Sequence, residues 1–524
     1  MSLSRLRLPR RPGRADRVLV LPPTEADAVP EEPASSLVAM FKWHGFAGSV
    51  LMAVGAYGCG WVSQASRIGD APGLEQIRSN TGLTFVSKLV VVVGIALLLQ
   101  AWLRLGHHVR THRVTGPTGL SRLVWWWSAP LLFAPVLFSR DVYSYIAQSR
   151  LLPHGVNPYL YGTGVFDTYF TDGADWMWKT SPAPYGPFWM GLSTGVYQTT
   201  HAQPIAALFA FRLLAMAGVA LLAVYLPRLA TCCGVDPAKA IWLGVLNPLV
   251  FMHFVSAAHN DALMIGLLLA GMTLAMERRP IPALILVTLA GAIKAPALMG
   301  LAFVGIAWAG QDAPFRRKVK YWTLSALAAA MIFLALNFAT GLDFGWVSSL
   351  GTPGKVRTWL SPMTGLGMLS GNLANLFGLG YRVDGAVQAF RVLGSVLTVG
   401  AVLWLVLTGH RRSPARGLAL ALLVIVVLGP VVQPWYALWA LVALAGAGLN
   451  RAQTRAAVLA TTGLVVNSIA NSSSTVPTYV FLSDGIAALI SVGIVVGLLV
   501  ASKRSRDMLL EDTRLQPTEP VLTT

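Results

Sequence analysis

The sequence predicts an all-α polytopic membrane protein, a bundle of transmembrane helices joined by loops. Of its 524 residues, 55% are hydrophobic and only 12% are charged, whereas soluble domains carry about 25% charged residues. Apolar runs suited to a bilayer recur between about residues 45 and 501. Basic residues gather between those runs and at both ends, so the net charge of +18 follows the positive-inside rule and requires no nucleic acid partner.

The same pattern predicts one membrane domain between two tails. Residues 1–38 and 503–524 lack hydrophobic periodicity, which predicts disordered cytoplasmic tails, the first of them basic. Residues 39–502 predict the transmembrane domain, with fourteen spans, or fifteen if the ambiguous segment 185–200 crosses. Two long loops, at about 140–184 and 342–387, then lie outside the membrane on the external side, where we expect short surface helices.

Asp141 follows closely on the apolar run that ends at Phe138. An acidic residue at the mouth of a membrane helix is costly unless it faces water and has a function. We therefore predict that Asp141 is a catalytic carboxylate that accepts a proton from a hydroxyl group. The alternative is that Asp141 only caps the short helix that follows, because Asp is favoured at a helix start.

Other polar and aromatic residues fall on the same predicted side of the membrane. Lysine and arginine side chains bind phosphate groups, and aromatic rings stack on sugar faces. This set of residues therefore suits a substrate in which a sugar is carried on a lipid phosphate. The predicted substrate-binding residues are Tyr143, Tyr145, Tyr185, His259, Asn260, Asp261, Lys294, Lys355, Arg357, Gln433, Trp435 and Tyr436.

Each group also has a structural interpretation. Residues 259–261 would form an ordinary polar turn in which Asp261 caps the next helix. Lys294 would extend its ammonium group from an apolar stretch to the membrane interface. Trp435 and Tyr436 would belong to an interfacial aromatic belt.

No metal centre and no cofactor are predicted. The three cysteines lack ligand spacing, and the histidines of residues 107–112 have no carboxylate or cysteine partners at ligand spacing. Binding of a divalent cation stays an open alternative, because three further carboxylates lie in the same loop as Asp141. They are Asp167, Asp172 and Asp175.

Three motifs of the first long loop resemble a known family. They are DVYSY at 141–145, GVNPY at 155–159 and SPAPYGP at 181–187. They look like the first external loop of the actinobacterial polyprenyl-phosphomannose-dependent alpha-1,6-mannosyltransferases, which are GT-C glycosyltransferases. The likeness extends more loosely over about 45–500, including residues 247–248, 259–261, Lys294 and 433–436.

The resemblance implies a multi-pass plasma-membrane enzyme with its active site on the extracytoplasmic face. It implies transfer of mannose from polyprenyl-phosphate-mannose to the alpha-1,6-mannan backbone of lipomannan and lipoarabinomannan, with inversion and with Asp141 as general base. Two alternatives stay open. One is another lipid-linked sugar transferase, such as an arabinosyltransferase, and the other is a transporter of lipid-linked sugars, which would need charges midway along its helices.

Overall fold

The computed structural model describes residues 34–166, 168, 173–378 and 382–471, with scattered positions between 493 and 509. Most of the two predicted tails and of the last predicted span lies outside the described residues. Within the described part of the chain the regular secondary structure is helical, and strand-like pairing is limited to an isolated bridge between Trp61 and Val136. The prediction of an all-α polytopic protein is confirmed.

The α-helices are numbered here in chain order. They are α1 (Ala34–Cys59), α2 (Leu74–Ser79), α3 (Thr81–Arg110), α4 (Pro117–Leu132), α5 (Asp141–Ser149), α6 (Pro187–Thr200), α7 (Pro204–Cys232), α8 (Pro237–Ala240), α9 (Asp261–Met276), α10 (Pro280–Gly291), α11 (Met299–Ala309), α12 (Phe315–Thr340), α13 (Pro362–Leu376), α14 (Val383–Leu407), α15 (Pro414–Leu428), α16 (Ala437–Ala447) and α17 (Arg451–Asn471). Wider π-helical turns follow α8 at Ile241–Val245 and Val250–Ser256. Tight 3-10 turns lie at Leu152–His154, Thr163–Val165, Trp176–Trp178, Ala295–Leu298, Gly345–Lys355, Gly409–Arg411 and Pro434–Tyr436.

The described helices include both full-length spans and shorter apolar segments. Among the described residues, five helices are long and apolar enough to cross a membrane, namely α1, α3, α7, α12 and α14. Pro237–Val245 and Val250–Ser256 would add a sixth, although they are bent by 62°. The count of fourteen or fifteen spans, which included several segments shorter than a normal crossing as tilted or broken helices, stays a prediction, and five of its segments are short apolar helices of 10–17 residues. The ambiguous segment 185–200 forms α6, whose 14 residues are also too few.

The short helix α9 lies in the core of the bundle, with the polar residue Asp261 at its start. Along α9, every residue from Asp261 to Ala275 is buried. This helix crosses α7 closely at Gly218, where an added Cβ atom would clash with the backbone of Ala262. Small residues permit such close helix contacts in membranes, so the packing of α7 against α9 fixes the position of Asp261.

The two long loops contain more packed structure than expected. The helix α5 is not a surface helix, because Val142 to Ser149 are all buried against neighbours that include α6 and α7. The second loop contains α13, a helix of 15 residues that packs against α14. At the N-terminus, α1 begins at Ala34, before the predicted domain boundary at residue 39. Side chains that the sequence predicted to lie on the surface of these loops are therefore packed against other helices.

Candidate active site

Asp141 is the first residue of α5 and keeps its carboxylate partly open to solvent. The chain reaches it through Phe138, whose φ of 69° is unusual for a bulky residue, and strained residues of this kind cluster at functional sites. The backbone N–H of Asp141 donates to Ser139 Oγ over 3.2 Å. The Asp141 side chain is 26% exposed, so the turn before α5 presents this carboxylate at the edge of a buried helix.

His259, from another part of the chain, stands close to this carboxylate. Its Nδ1 atom lies 3.5 Å from Asp141 Oδ2, and its side chain is fully buried. The imidazole stacks on Trp435 with ring centroids 4.0 Å apart and an angle of 21° between planes. Burial lowers the pKa of His259 well below its usual value, so the neutral ring can donate only one N–H. When that proton is on Nδ1, it points to Asp141.

Lys294 and Asp261 form a buried ion pair beside the first carboxylate. Lys294 Nζ donates to Asp261 Oδ1 over 2.9 Å and to Oδ2 over 3.0 Å. Trp439 Nε1 donates to the same Asp261 Oδ1 over 2.7 Å. Burial by itself would lower the pKa of Lys294, but Asp261, Tyr436 and Asp141 together outweigh burial and raise that pKa. Lys294 is therefore a fixed cation at neutral pH.

Aromatic rings surround that cation. Lys294 Nζ lies 4.7 Å from the ring centre of Tyr436 and 5.4 Å from that of Trp439. These two rings are themselves 4.4 Å apart. A cation over aromatic faces is stabilised further, and flat apolar faces next to a charge suit a sugar phosphate.

The same three residues, Lys294, Tyr436 and Trp439, line part of a cavity of about 470 Å³. The helices α14 and α15 line it with apolar side chains. They include Val399, Ile425, Val426 and Leu428. An apolar cavity with a cation in its lining has the shape and polarity to hold an amphiphile with an anionic head.

The surroundings of Asp141 prepare it for proton transfer. Burial raises the pKa of Asp141 to about 6, with Asp261 and Asp175 adding to that effect and Lys294 and Arg140 opposing it. Arg140 also pairs with Asp175 over 2.5 Å. A general base is most effective when its pKa lies near the operating pH. Asp141 is thus mainly ionised at neutral pH and basic enough to accept a proton.

Three more predicted residues come together behind the Asp141 carboxylate. The Tyr145 hydroxyl donates to Asn260 Oδ1 over 3.3 Å, and the Tyr145 and Tyr185 ring centres lie 5.6 Å apart. Gly186 allows this approach, because an added Cβ atom there would stand 2.5 Å from the carbonyl oxygen of Ala292. The loop bearing Tyr185 is thereby held against the segment that leads to Lys294.

Four predicted residues make contacts elsewhere. The Tyr143 hydroxyl donates to the carbonyl of Trp61 over 3.0 Å, and Arg357 pairs with exposed Asp384 over 2.6 Å. Lys355 donates to Ser181 Oγ over 3.0 Å, which ties the two long loops together. The fourth, Gln433, is half-buried at the start of the turn Pro434–Tyr436. The substrate-binding roles predicted for these four residues stay predictions.

Trp439 was missed by the sequence reasoning although it contacts both members of the buried ion pair. A signal was present, because Trp439 follows Trp435 by four residues and Tyr436 by three. Residues at those spacings lie on one helix face. Arg140, which lowers the pKa of Asp141, was also absent from the predicted site residues, although it directly precedes Asp141 in the motif.

No group of three or more His, Cys, Asp or Glu side chains placed to hold a metal ion is found in the part of the chain that the structure describes. Asp175, one of the three loop carboxylates, pairs with Arg140. Asp167 and Asp172 lie outside the described residues. The prediction that no metal or cofactor is required stays a prediction.

Two models of protein families together match most of the chain. A family model described as the alpha-(1->6)-mannopyranosyltransferase N-terminal domain matches residues 42–310, and one described as the MptB C-terminal domain matches 363–506. The chain belongs to the alpha-(1->6)-mannopyranosyltransferase family. The first match contains the site residues from Asp141 to Lys294 in the sequence. The second match contains Trp435, Tyr436 and Trp439.

Curated members of this mannopyranosyltransferase family match most of the chain. A probable alpha-(1->6)-mannopyranosyltransferase of Mycolicibacterium smegmatis is 35% identical over 461 residues, covering 80% of this chain and 81% of that protein. An alpha-(1->6)-mannopyranosyltransferase of Mycobacterium tuberculosis is 33% identical over 490 residues, with 81% of each chain covered. Alpha-(1->6)-mannopyranosyltransferase B of Corynebacterium glutamicum is 29% identical and covers 80% of this chain and 75% of its own. No solved structure matches.

Proposed function

We propose that this protein is an inverting alpha-1,6-mannosyltransferase of the GT-C type. It takes mannose from polyprenyl-phosphate-mannose and adds it to the alpha-1,6-mannan backbone of lipomannan and lipoarabinomannan. It works in the plasma membrane of an actinobacterial cell, with the site on the extracytoplasmic face. The observation that carries the proposal is the position of Lys294, which lines the apolar cavity and also acts electrostatically on Asp141.

The donor occupies the apolar cavity with its lipid tail. Its polyprenyl chain lies between α14 and α15, where Val399 and Ile425 supply apolar walls. Its phosphate faces Lys294, because ammonium groups bind phosphate as point charges. The mannose then lies toward Tyr436 and Trp435, whose rings are within reach of Lys294 and His259.

The reaction is a single in-line displacement. The acceptor 6-hydroxyl oxygen forms a bond to mannose C1 while the bond from C1 to the phosphate oxygen breaks, which inverts the configuration of a beta-linked donor to an alpha-linked product. The hydroxyl proton passes to Asp141. Polyprenyl phosphate leaves with the electron pair of the broken bond, and Lys294 offsets the charge that grows on it.

His259 and Asp261 position the two reacting groups. We assign His259 the neutral tautomer with its proton on Nδ1, which places that proton beside Asp141 Oδ2, 3.5 Å from Nδ1, and leaves Oδ1 for the incoming hydroxyl. Asp261 holds Lys294 through both of its oxygens. Rigid partners of this kind keep a reactive group in its productive geometry.

Supplying the purified full chain with polyprenyl-phosphate-mannose and a short alpha-1,6-mannoside tests the proposal. We expect a product longer by one mannose, with an alpha-1,6 linkage by nuclear magnetic resonance, and no product from a nucleotide sugar donor. Transfer from a lipid-linked arabinose instead would support the arabinosyltransferase alternative. Movement of labelled donor across a vesicle membrane without any product would support transport and contradict the proposal.

A further inference from the structure

We propose that the bundle carries a second, non-catalytic site for the phosphate headgroup of an anionic phospholipid, at the end opposite Asp141. A separate cavity of about 260 Å³ lies there. Its described lining residues include three cations, Arg110, Lys239 and Arg451, together with the hydroxyl of Thr454. No acidic residue is among these described lining residues. The charged residues among the described lining of the cavity are thus all cations.

The ends of three helices bring these cations together. Arg110 is the last residue of α3, Lys239 lies in α8, and Arg451 is the first residue of α17. A helix N-terminus carries partial positive charge, so a cation at the first position of α17 is unfavourable in isolation. Two backbone N–H groups at this helix start already have acceptors within the chain. The Asn450 N–H donates to Gln453 Oε1 over 3.2 Å, and the Gln453 N–H donates to Asn450 Oδ1 over 2.8 Å.

Nearby carboxylates are committed to other partners. Asp236, close to Lys239 in sequence, accepts from the backbone N–H of Ala238 over 2.8 Å. Glu277 pairs with Arg228 over 2.6 Å. Neither Lys239 nor Arg451 forms a salt bridge with a carboxylate in the described part of the chain. Within the described part of the chain, the charges of Lys239 and Arg451 are therefore the ones that a phosphate group can meet.

Position and polarity favour a lipid headgroup over a soluble anion. The cavity floor is apolar, with Trp242, Leu243 and Leu449 among its residues. Trp242 is locked there by reciprocal indole N–H bonds with the backbone of Trp102, at 2.8 Å and 2.9 Å. Basic pockets between transmembrane helices on the cytoplasmic side bind anionic lipid headgroups, and α3 ends at this face with its basic His107–Arg110 turn.

The site lies far from the catalytic chemistry along the chain and across the bundle. The helix α4 starts at Pro117, shortly after Arg110, and ends at Leu132 before the turn that leads to Asp141. Arg110 and Asp141 consequently stand at opposite ends of α4. The inference does not depend on the proposed function, and lipid binding can be measured without donor or acceptor.

Native mass spectrometry of the full chain, with phosphatidylglycerol or phosphatidylcholine added, tests the site. We expect selective retention of phosphatidylglycerol by the wild type. Each basic residue near an anionic lipid contributes about a fivefold factor in affinity. The single variants Lys239→Gln and Arg451→Gln should thus weaken binding about fivefold each, and the double variant about 30-fold.

A matched double variant, Arg316→Gln with Lys320→Gln, removes two exposed cations outside the cavity. It should bind phosphatidylglycerol within twofold of the wild type. An equal loss in this control, or no loss in either single variant, would overturn the site. Melting temperatures in phosphatidylcholine with millimolar inorganic phosphate complete the test. A stabilisation by phosphate that Lys239→Gln abolishes would assign the cavity to a soluble anion and contradict the lipid headgroup.

Discussion

The proposed role of Asp141 as general base predicts that the pH dependence of mannosyl transfer follows its ionisation, because only the carboxylate form accepts the hydroxyl proton. Burial raises the pKa of Asp141 to about 6. With that pKa the ionised fraction is about 90% at pH 7 and about 10% at pH 5, so transfer falls roughly tenfold between them. An ordinary Asp pKa of about 3.9 would leave the rate nearly constant over that range.

Two variants should move this acid limb in opposite directions. Lys294 lowers the pKa of Asp141, so Lys294→Gln raises that pKa and moves the limb to higher pH. Asp175 raises the pKa of Asp141 and also occupies Arg140, so Asp175→Asn moves the limb to lower pH. The measurement is the single-turnover rate of labelled mannose transfer from bound donor between about pH 5 and pH 8.

Asp70→Asn is the control for this profile. Asp70 is an exposed carboxylate in the segment between α1 and α2, so its removal should leave the limb in place. A wild-type rate that stays constant down to pH 5 would refute the raised pKa. Movement of the limb in the same direction for Lys294→Gln and Asp175→Asn would refute the electrostatic reasoning.

Three further changes test the proposed roles and the packing. Lys294→Ala should lower kcat/KM for the lipid donor by about 10- to 100-fold, since a charged hydrogen bond contributes about 1.5–3 kcal/mol; an unchanged value in steady-state assays would remove Lys294 from the phosphate site. His259→Asn places an N–H donor near the original Nδ1, whereas His259→Gln places one near Nε2. The Asn variant should therefore keep more transfer activity and a more nearly normal pH profile. Equal rates and profiles for the two variants would argue against positioning through Nδ1. Gly218→Val should lower the melting temperature by several degrees, because its Cβ atom would meet the backbone of α9; Gly400→Ala, where a Cβ atom meets nothing within 4 Å, should not, and equal losses would contradict the close contact.

The sequence was sufficient for the fold class and for the gathering of the main charged groups. Low charge content and cations confined to short loops are enough to indicate a polytopic bundle. Asp141, His259 and Lys294 were predicted on one side of the membrane, and the structure brings them into one site. Each residue stands at the end of an apolar run, where chain direction limits its position, and the side of the membrane stays a prediction.

Other features depend on tertiary contacts that a single sequence does not encode locally. The burial of α5 follows from packing against α6 and α7. The Tyr143 hydroxyl bonds to the carbonyl of Trp61, which is 82 residues away in the chain, and the substrate role of Tyr143 stays a prediction. The bond from Trp439 to Asp261 joins residues 178 positions apart. Periodicity places such residues on a helix face but does not reveal which distant partner they meet.

The most direct test of the central claim is mannosyl transfer by Asp141→Asn. Asn keeps the shape of the side chain but cannot accept the proton, and loss of a general base lowers rates by about 10²- to 10⁴-fold. We expect that loss at pH 7 in Asp141→Asn, with donor binding and melting temperature preserved, and a wild-type rate in Asp70→Asn. Transfer by Asp141→Asn within a few fold of the wild type would contradict the assignment of Asp141 as the base.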